Sequence, residues 1–326
     1  MLYSVTLLAL SARVVAYESY SIADTFIGSN FFDSWNWETF HDPTHGRVNY
    51  TDKATAQATN LSVASETTFV MRADSWSHVP PASTGRNSVR ITSNSKYSEA
   101  VMVLDLMHMP TGCATWPAWW TVSKTGPWPH GGEIDIIEGV NLNPSNLASL
   151  HTTPNCNMAQ TRTQSGEPVS TICDASVNYN QGCGVTFTKP NSYGQAFNSN
   201  GGGWYAMQRS ASCGINVWFW PRSDPTLVPI EVTQGLGTMN PSQWGEPDAS
   251  FLTDECDYAS HFDAHQIVFD LTFCGDWAGS PSAKSACQWD TCQNFVDNEP
   301  AQFIEAYWEI SALRVYTLNP VSNTTA

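Results

Sequence analysis

Glu133, Asp135 and Glu138 fall within six residues of the stretch HGGEIDIIEG (130–139), and the side chains between them are isoleucines. β-Branched Ile134, Ile136 and Ile137 favour a pleated, half-buried strand. Side chains alternate along a strand, so Glu133 and Asp135 share a face while Glu138, five residues from Glu133, falls on the other. One extra residue, taken up as a β-bulge at Ile136–Ile137, returns Glu138 to the first face. Bulges collect beside active sites, where they re-aim a side chain. Three carboxylates on one face repel, so their acidities must separate, leaving one ionised and another protonated. A base paired with an acid is what glycosidic cleavage needs, and carboxyl groups about 5–5.5 Å apart fit double displacement with retention. Two other readings compete. Clustered carboxylates ligate hard cations such as calcium, although a flat strand seldom wraps an ion as a loop does. An acidic strand can also present a merely solvated face.

The elements that must position this strand are themselves mostly strands. TTFVMRA (67–73), SVRIT (88–92), AVMVLDLMHM (100–109), WYAMQR (204–209), NVWFW (216–220), QIVFDLTF (266–273) and ISALRVYTL (310–318) are separated by Gly, Pro, Asn and Ser clusters. A short helix is expected over 298–307, and helical periodicity is nearly absent elsewhere. Many short strands with turn-rich loops predict an all-β antiparallel sandwich or barrel. No repeat, linker or shift in composition marks a second domain. The stretch 151–203 is rich in Gly, Asn and Ser, and disulfides can stabilise such a stretch where a core cannot.

Cysteine usage supplies them. Of nine cysteines, eight follow residue 150, which in an oxidising compartment implies several disulfides with at least one thiol left over. No paired CxxC or HxxxH spacing supports zinc. MLYSVTLLALSARVVA reads as a secretory signal cut after Ala16, leaving 17–326 as a single domain. No other apolar run reaches the roughly 18 residues of a membrane span. The tail NPVSNTTA is polar, so a free, secreted, soluble protein is expected. Sequons at Asn49, Asn60 and Asn323 agree with export. The formal charge of −16, from 30 acids against 14 bases, excludes a phosphate-neutralising nucleic-acid binder and disfavours anionic polysaccharides. Fourteen tryptophans suit a neutral, stackable ligand, although a core absorbs such rings too.

GEIDIIEG matches the ExDxxE signature of glycoside hydrolase family 16. DPTHGRVNY (42–50), GRNSVRI (85–91), HMPTGCATWPAWW (108–120), NGGGWYAMQR (200–209), SHFDAHQIVFDLTFCGDWAG (260–279) and AYWEISALRVY (306–316) resemble the fungal laminarinase branch of that family. The resemblance spans nearly the whole chain after residue 16. It implies a concanavalin-like β-jelly-roll sandwich with a substrate cleft across its concave sheet, and a retaining endo-β-1,3(4)-glucanase acting on laminarin-like chains. By position, Glu133 would be the nucleophile, Glu138 the general acid/base, and Asp135 the group that tunes them. Trp120, Trp128 and Trp277 match sugar-stacking tryptophans, and Arg90 and His151 match polar cleft residues. Core packing is the plain alternative for each tryptophan, and weighs as heavily for Trp116 and Trp119. A buried structural pair is the alternative for Arg90 and His151. The mechanism calls for no cofactor and no metal. The expected partner is a β-glucan polysaccharide, met by a monomer with no nucleic acid or membrane involved. A transglycosylase or a non-catalytic glucan-binding module on the same scaffold remain the rivals, the latter disfavoured because a binding module gains nothing from three repelling acids.

Overall fold

The computed structural model describes residues 18–284 and 287–319; the expected signal segment and the Asn323 sequon lie outside them. Two antiparallel sheets face each other. The strands of the eight-stranded sheet, numbered here in chain order, are β1 (Trp35–Trp37), β2 (Ile91–Ser93), β3 (Thr115–Ser123), β4 (Glu133–Glu138), β5 (Leu147–His151), β6 (Glu167–Pro168), β7 (Cys183–Thr186) and β8 (His265–Phe273). They lie in the order β6-β7-β5-β4-β3-β8-β2-β1, so the acidic strand is central. The nine-stranded sheet is built around Ala100–His108, with Tyr307–Leu318 on one side and Gly203–Ser210 on the other. This is the all-β jelly-roll sandwich that the strand pattern and the family resemblance predict.

One face of each sheet makes the core. Ile134, Ile136 and Ile137 of β4, Trp119 of β3 and Phe269 of β8 are fully buried against Leu104, Tyr205, Phe219 and Leu313 of the other sheet. Each such side chain is worth about 1.5–3 kcal/mol in burial. The isoleucines therefore fix which face of β4 is turned inward, and the carboxylates take the face that remains open.

Two expected elements differ. SVRIT is not one strand: Arg86–Ser88 pairs in parallel with Val48–Tyr50 outside both sheets, and β2 begins only at Ile91. The fully buried Arg86 guanidinium accounts for the break. Its Nε donates to the Val296 carbonyl at 3.0 Å and Nη1 to the Asp74 carbonyl at 2.8 Å, which draws this segment out of the sheet. The helix expected over 298–307 instead runs Cys292–Asn298, capped by the Thr291 hydroxyl, and gives way to a 3-10 turn at Pro300–Phe303. Pro300 disfavours the α conformation at the residue before it, ending the helix there.

Four disulfides, Cys113–Cys287, Cys156–Cys256, Cys173–Cys183 and Cys274–Cys292, hold the loops, and Cys213 is left as a free thiol. Two of these bridges, Cys156–Cys256 and Cys173–Cys183, tie the irregular 151–203 stretch. No helix among the described residues is long and apolar enough to cross a membrane.

Candidate active site

The bulge is where parity demands it. Against β3, Asp135 pairs with Trp120 but Ile137 with Trp119, so Ile136 is the extra residue. Against β5, Asp135 pairs with Ser149 and Glu138 with Leu147, three steps on β4 opposing two. Ile136 and Ile137 both stay in the core, and Glu138 regains the open face with Glu133 and Asp135. A bulge strands backbone groups, and buried Asn146 satisfies them. Its Nδ2 donates to the Ile136 carbonyl at 2.8 Å, and its Oδ1 accepts from the Glu138 N–H at 3.2 Å. The entry to β4 is equally specified. Gly131 and Gly132 have φ of 76° and 84°. A Cβ on Gly132 would lie 2.5 Å from the Phe262 ring, so only glycine turns the Trp128 loop into the strand.

Each outer carboxylate accepts one indole N–H. Trp128 Nε1 donates to Glu133 Oε2 at 2.8 Å, and Trp116 Nε1 to Glu138 Oε1 at 2.9 Å. Asp135, nearly sealed between them, accepts from the Ser149 hydroxyl at 3.3 Å and lies 3.4 Å from His151 Nε2. Asn180 Oδ1, 2.8 Å from His151 Nδ1, orients the ring. Burial pushes all three carboxyls up. Asp135 rises furthest, because the neighbouring Glu133 and Glu138 charges add to its desolvation. The rise at Glu133 is opposed first by the His151 charge, then by the Trp128 donation and the Arg90 charge. The rise at Glu138 is opposed by the Trp116 donation and by His151, and reinforced by the charge of Glu133. Of the three, Asp135 therefore holds its proton most strongly, and ionisation of Glu133 favours a proton on Glu138.

The structure gathers the other sequence-derived candidates on this open face, with different neighbours for each. Trp128 is half exposed and tilts against His151, ring centroids 6.3 Å apart. Trp120 lies over the Arg90 guanidinium at 4.9 Å and donates to Asp270 Oδ2 at 3.3 Å. Arg90 is nearly buried and pairs with the same Asp270 oxygen at 2.9 Å. Trp277, on the short Gly275–Ala278 helix, meets Trp116 edge-on at 5.7 Å and so buttresses the donor to Glu138. Trp119 is core.

Sequence reasoning missed Asp270, Ser149, Asn146 and Asn180. Asp270 and Ser149 have the parity of the open face, since Asp270 pairs with Ala118, the partner of Glu138, and Ser149 with Asp135. That signal becomes legible once the register is known. Burial raises the Asp270 carboxyl to about 7 despite Arg90 beside it. Glu133, Asp135 and His151 also bring one donor atom each within 4.8 Å of one another, so the grouping among the described residues best able to grip a cation coincides with the acidic strand.

Three acids on the open sheet of a jelly roll, the outer two each accepting an indole N–H, suit a polysaccharide-cleaving domain. Residues 35–316 match the XgeA-like, catalytic GH16 domain, and the chain belongs to glycoside hydrolase family 16. It is 42% identical over 302 residues to a probable glycosidase of Schizosaccharomyces pombe, an alignment covering 92% of this chain and 70% of that one. It spans about half the length of the Aspergillus relatives it matches, which are named probable endo-1,3(4)-β-glucanases (47% of the A. fumigatus protein at 39% identity, 44% of the A. niger one). Among solved structures it resembles GH16 Laminarinase 16A of Phanerochaete chrysosporium, which holds 6-O-glucosyl-laminaritriose in both donor and acceptor sites. That likeness has a TM-score of 0.89 and 48% identity over 92% of this chain and all of that one. An elongating family 16 β-1,3-glucosyltransferase superposes with a TM-score of 0.83 at 36% identity, covering 91% of this chain and all of that one.

Proposed function

We propose that this chain is a secreted, retaining endo-β-1,3(4)-glucanase, a single catalytic domain over 17–326 that cuts laminarin-like chains. The observation that carries the reading is the bulge in β4, which sets Glu133 and Glu138 on one open face with Asp135, its carboxyl pushed up by burial and by their charges, between them. Glu138, its proton held by burial and by the charge of Glu133, protonates the glycosidic oxygen while ionised Glu133 attacks the anomeric carbon. The aglycone leaves, and a covalent glycosyl–Glu133 ester remains. Water then attacks the same carbon, Glu138 takes its proton, and Glu133 is released as carboxylate with the configuration retained. Asp135 donates to the nucleophile and prevents a third charge from accumulating. Trp120, Trp128 and Trp277 offer the apolar faces on which a glucan stacks, and Arg90 and His151 the polar contacts. Four disulfides and an acidic surface suit an extracellular catalyst of neutral polysaccharide.

Product analysis on laminarin and lichenan, with carboxymethyl-cellulose as control, tests this. Short oligosaccharides released first as the β-anomer by NMR are expected from the first two. Intact polymer would overturn hydrolysis, and initial α-anomer would overturn the double displacement. The likeness to an elongating glucosyltransferase gives one further reading, transfer of the glycosyl ester to a second glucan, whose signature is products longer than the substrate.

A further inference from the structure

Phe40 was not among the residues that sequence reasoning selected, yet its ring is 45% exposed on the loop that follows β1. The Arg90 guanidinium lies 4.9 Å from the Phe40 ring centroid and 4.9 Å from that of Trp120, so the cation is sandwiched between two aromatic planes. Asp270 anchors the sandwich from below through Arg90 at 2.9 Å and Trp120 at 3.3 Å. The loop carrying Phe40 is hydrogen-bonded to the sheet on either side of it. Glu38 N–H continues the β1–β2 ladder onto the Arg90 carbonyl at 3.0 Å. Asp42 accepts from the Thr44 and Gly46 backbone at 3.2 Å and from the Thr272 hydroxyl of β8 at 2.5 Å.

The position of this platform is set by the sheet. From β4 the order runs β3, β8, β2, β1, and Arg90, reaching back over β8 with its guanidinium 4.9 Å from each ring, places Phe40 immediately beyond Trp120 on the side away from the acids. Trp120 stands one strand from the nucleophile, Arg90 next to β2, and Phe40 just past the end of β1. A linear polymer crossing the strands toward β1 meets Trp120 first and Phe40 next. An exposed ring with no hydrogen-bonding group, on a loop tied down on either side of it, takes the apolar face of a sugar.

We propose that Phe40, held by Arg90, forms a binding subsite for a neutral β-linked glucosyl residue, next beyond the one that Trp120 serves. Phe40 thereby makes the enzyme prefer long chains and sets the register in which they are cut. The inference rests on the glucanase reading for its ligand class, and it is tested first by binding, so that a catalytically silent protein does not obscure it. In a Glu133→Gln background, calorimetry with laminarihexaose and laminaritriose is compared with and without Phe40→Ala. A loss of about five- to tenfold in hexaose affinity is expected, with the hexaose-to-triose ratio falling by the same factor, and Phe40→Trp should restore it. On the active enzyme, end-labelled laminarihexaose should shift its main cleavage position in Phe40→Ala and regain it in Phe40→Trp. An unchanged hexaose-to-triose ratio overturns the proposal. So does an equal loss for both sugars, which would mean that Phe40 acts on the fold or on the near subsites. Failure of the wild-type protein to cut laminarin sinks the glucanase reading separately.

Discussion

Asn146→Ala removes the side chain that closes the bulge and touches no carboxylate. Its amide occupies two backbone groups, the Ile136 carbonyl at 2.8 Å and the Glu138 N–H at 3.2 Å, from a fully buried position. Each buried group left unpaired costs about 1–3 kcal/mol, so the variant should lose about 2–6 kcal/mol of stability in urea unfolding. The second effect is aim. If the bulge relaxes, Glu138 turns toward the core side and its proton transfer is lost, a factor of about 10²–10⁴ in rate. Two substrates separate the effects. Laminarin, with a poor leaving group, should show the full loss, whereas a dinitrophenyl β-laminaribioside, whose leaving group departs without a proton, should keep most of its rate of glycosyl–enzyme formation. Wild-type rates on both substrates would show that the bulge holds itself. Equal loss on both would show that Asn146 does something other than aim the acid.

Glu133→Ala and Glu138→Ala should each lower laminarin hydrolysis by orders of magnitude with unchanged circular dichroism, and near-normal activity in either would remove its assigned role. Trp128→Phe deletes a donor that holds the Glu133 carboxyl down, so the acidic limb of the pH–rate profile should move to higher pH. Trp116→Phe does the same to Glu138 and should move the alkaline limb up; opposite shifts would reverse the two roles. Asp135, raised by burial and by its charged neighbours, binds its proton more tightly folded than unfolded, so it subtracts stability as pH rises from about 3.9 through its folded value. Asp135→Asn should therefore be more stable than wild type at neutral pH, equal to it below about pH 3.9, and much slower in turnover; lower stability at neutral pH would contradict the neutral-acid assignment. Replacing Cys156 and Cys256 by alanine opens a loop of 100 residues and should cost about 2–5 kcal/mol, read by urea unfolding.

What the sequence disclosed follows the range of its signals. Period-two alternation and β-branching placed most strands, and the parity conflict between Glu133 and Glu138 was enough to require the bulge. SVRIT failed because alternation cannot see that Arg86 needs carbonyls from Asp74 and Val296, the latter 210 residues away. Asp270 and Ser149 were invisible for the same reason: an isolated acid or serine in a strand means little until register sets it opposite the catalytic row. Trp116 and Trp119, three residues apart, could not be separated by type. Only the pairing shows one donating to Glu138 and the other sealed in the core.

None of the eight bridged cysteines lies on β3, β4 or β5; Cys183 opens β7, Cys292 opens the Cys292–Asn298 helix, and the other six lie in the connecting segments. The acid-bearing strand and its two neighbours are thus maintained by hydrogen-bonded register, and the wall around them by covalent cross-links. Insertions or substitutions along the wall can accumulate over generations without disturbing where the acids point. A lineage built on such a chassis can change which glucan it grips while leaving its cutting edge untouched.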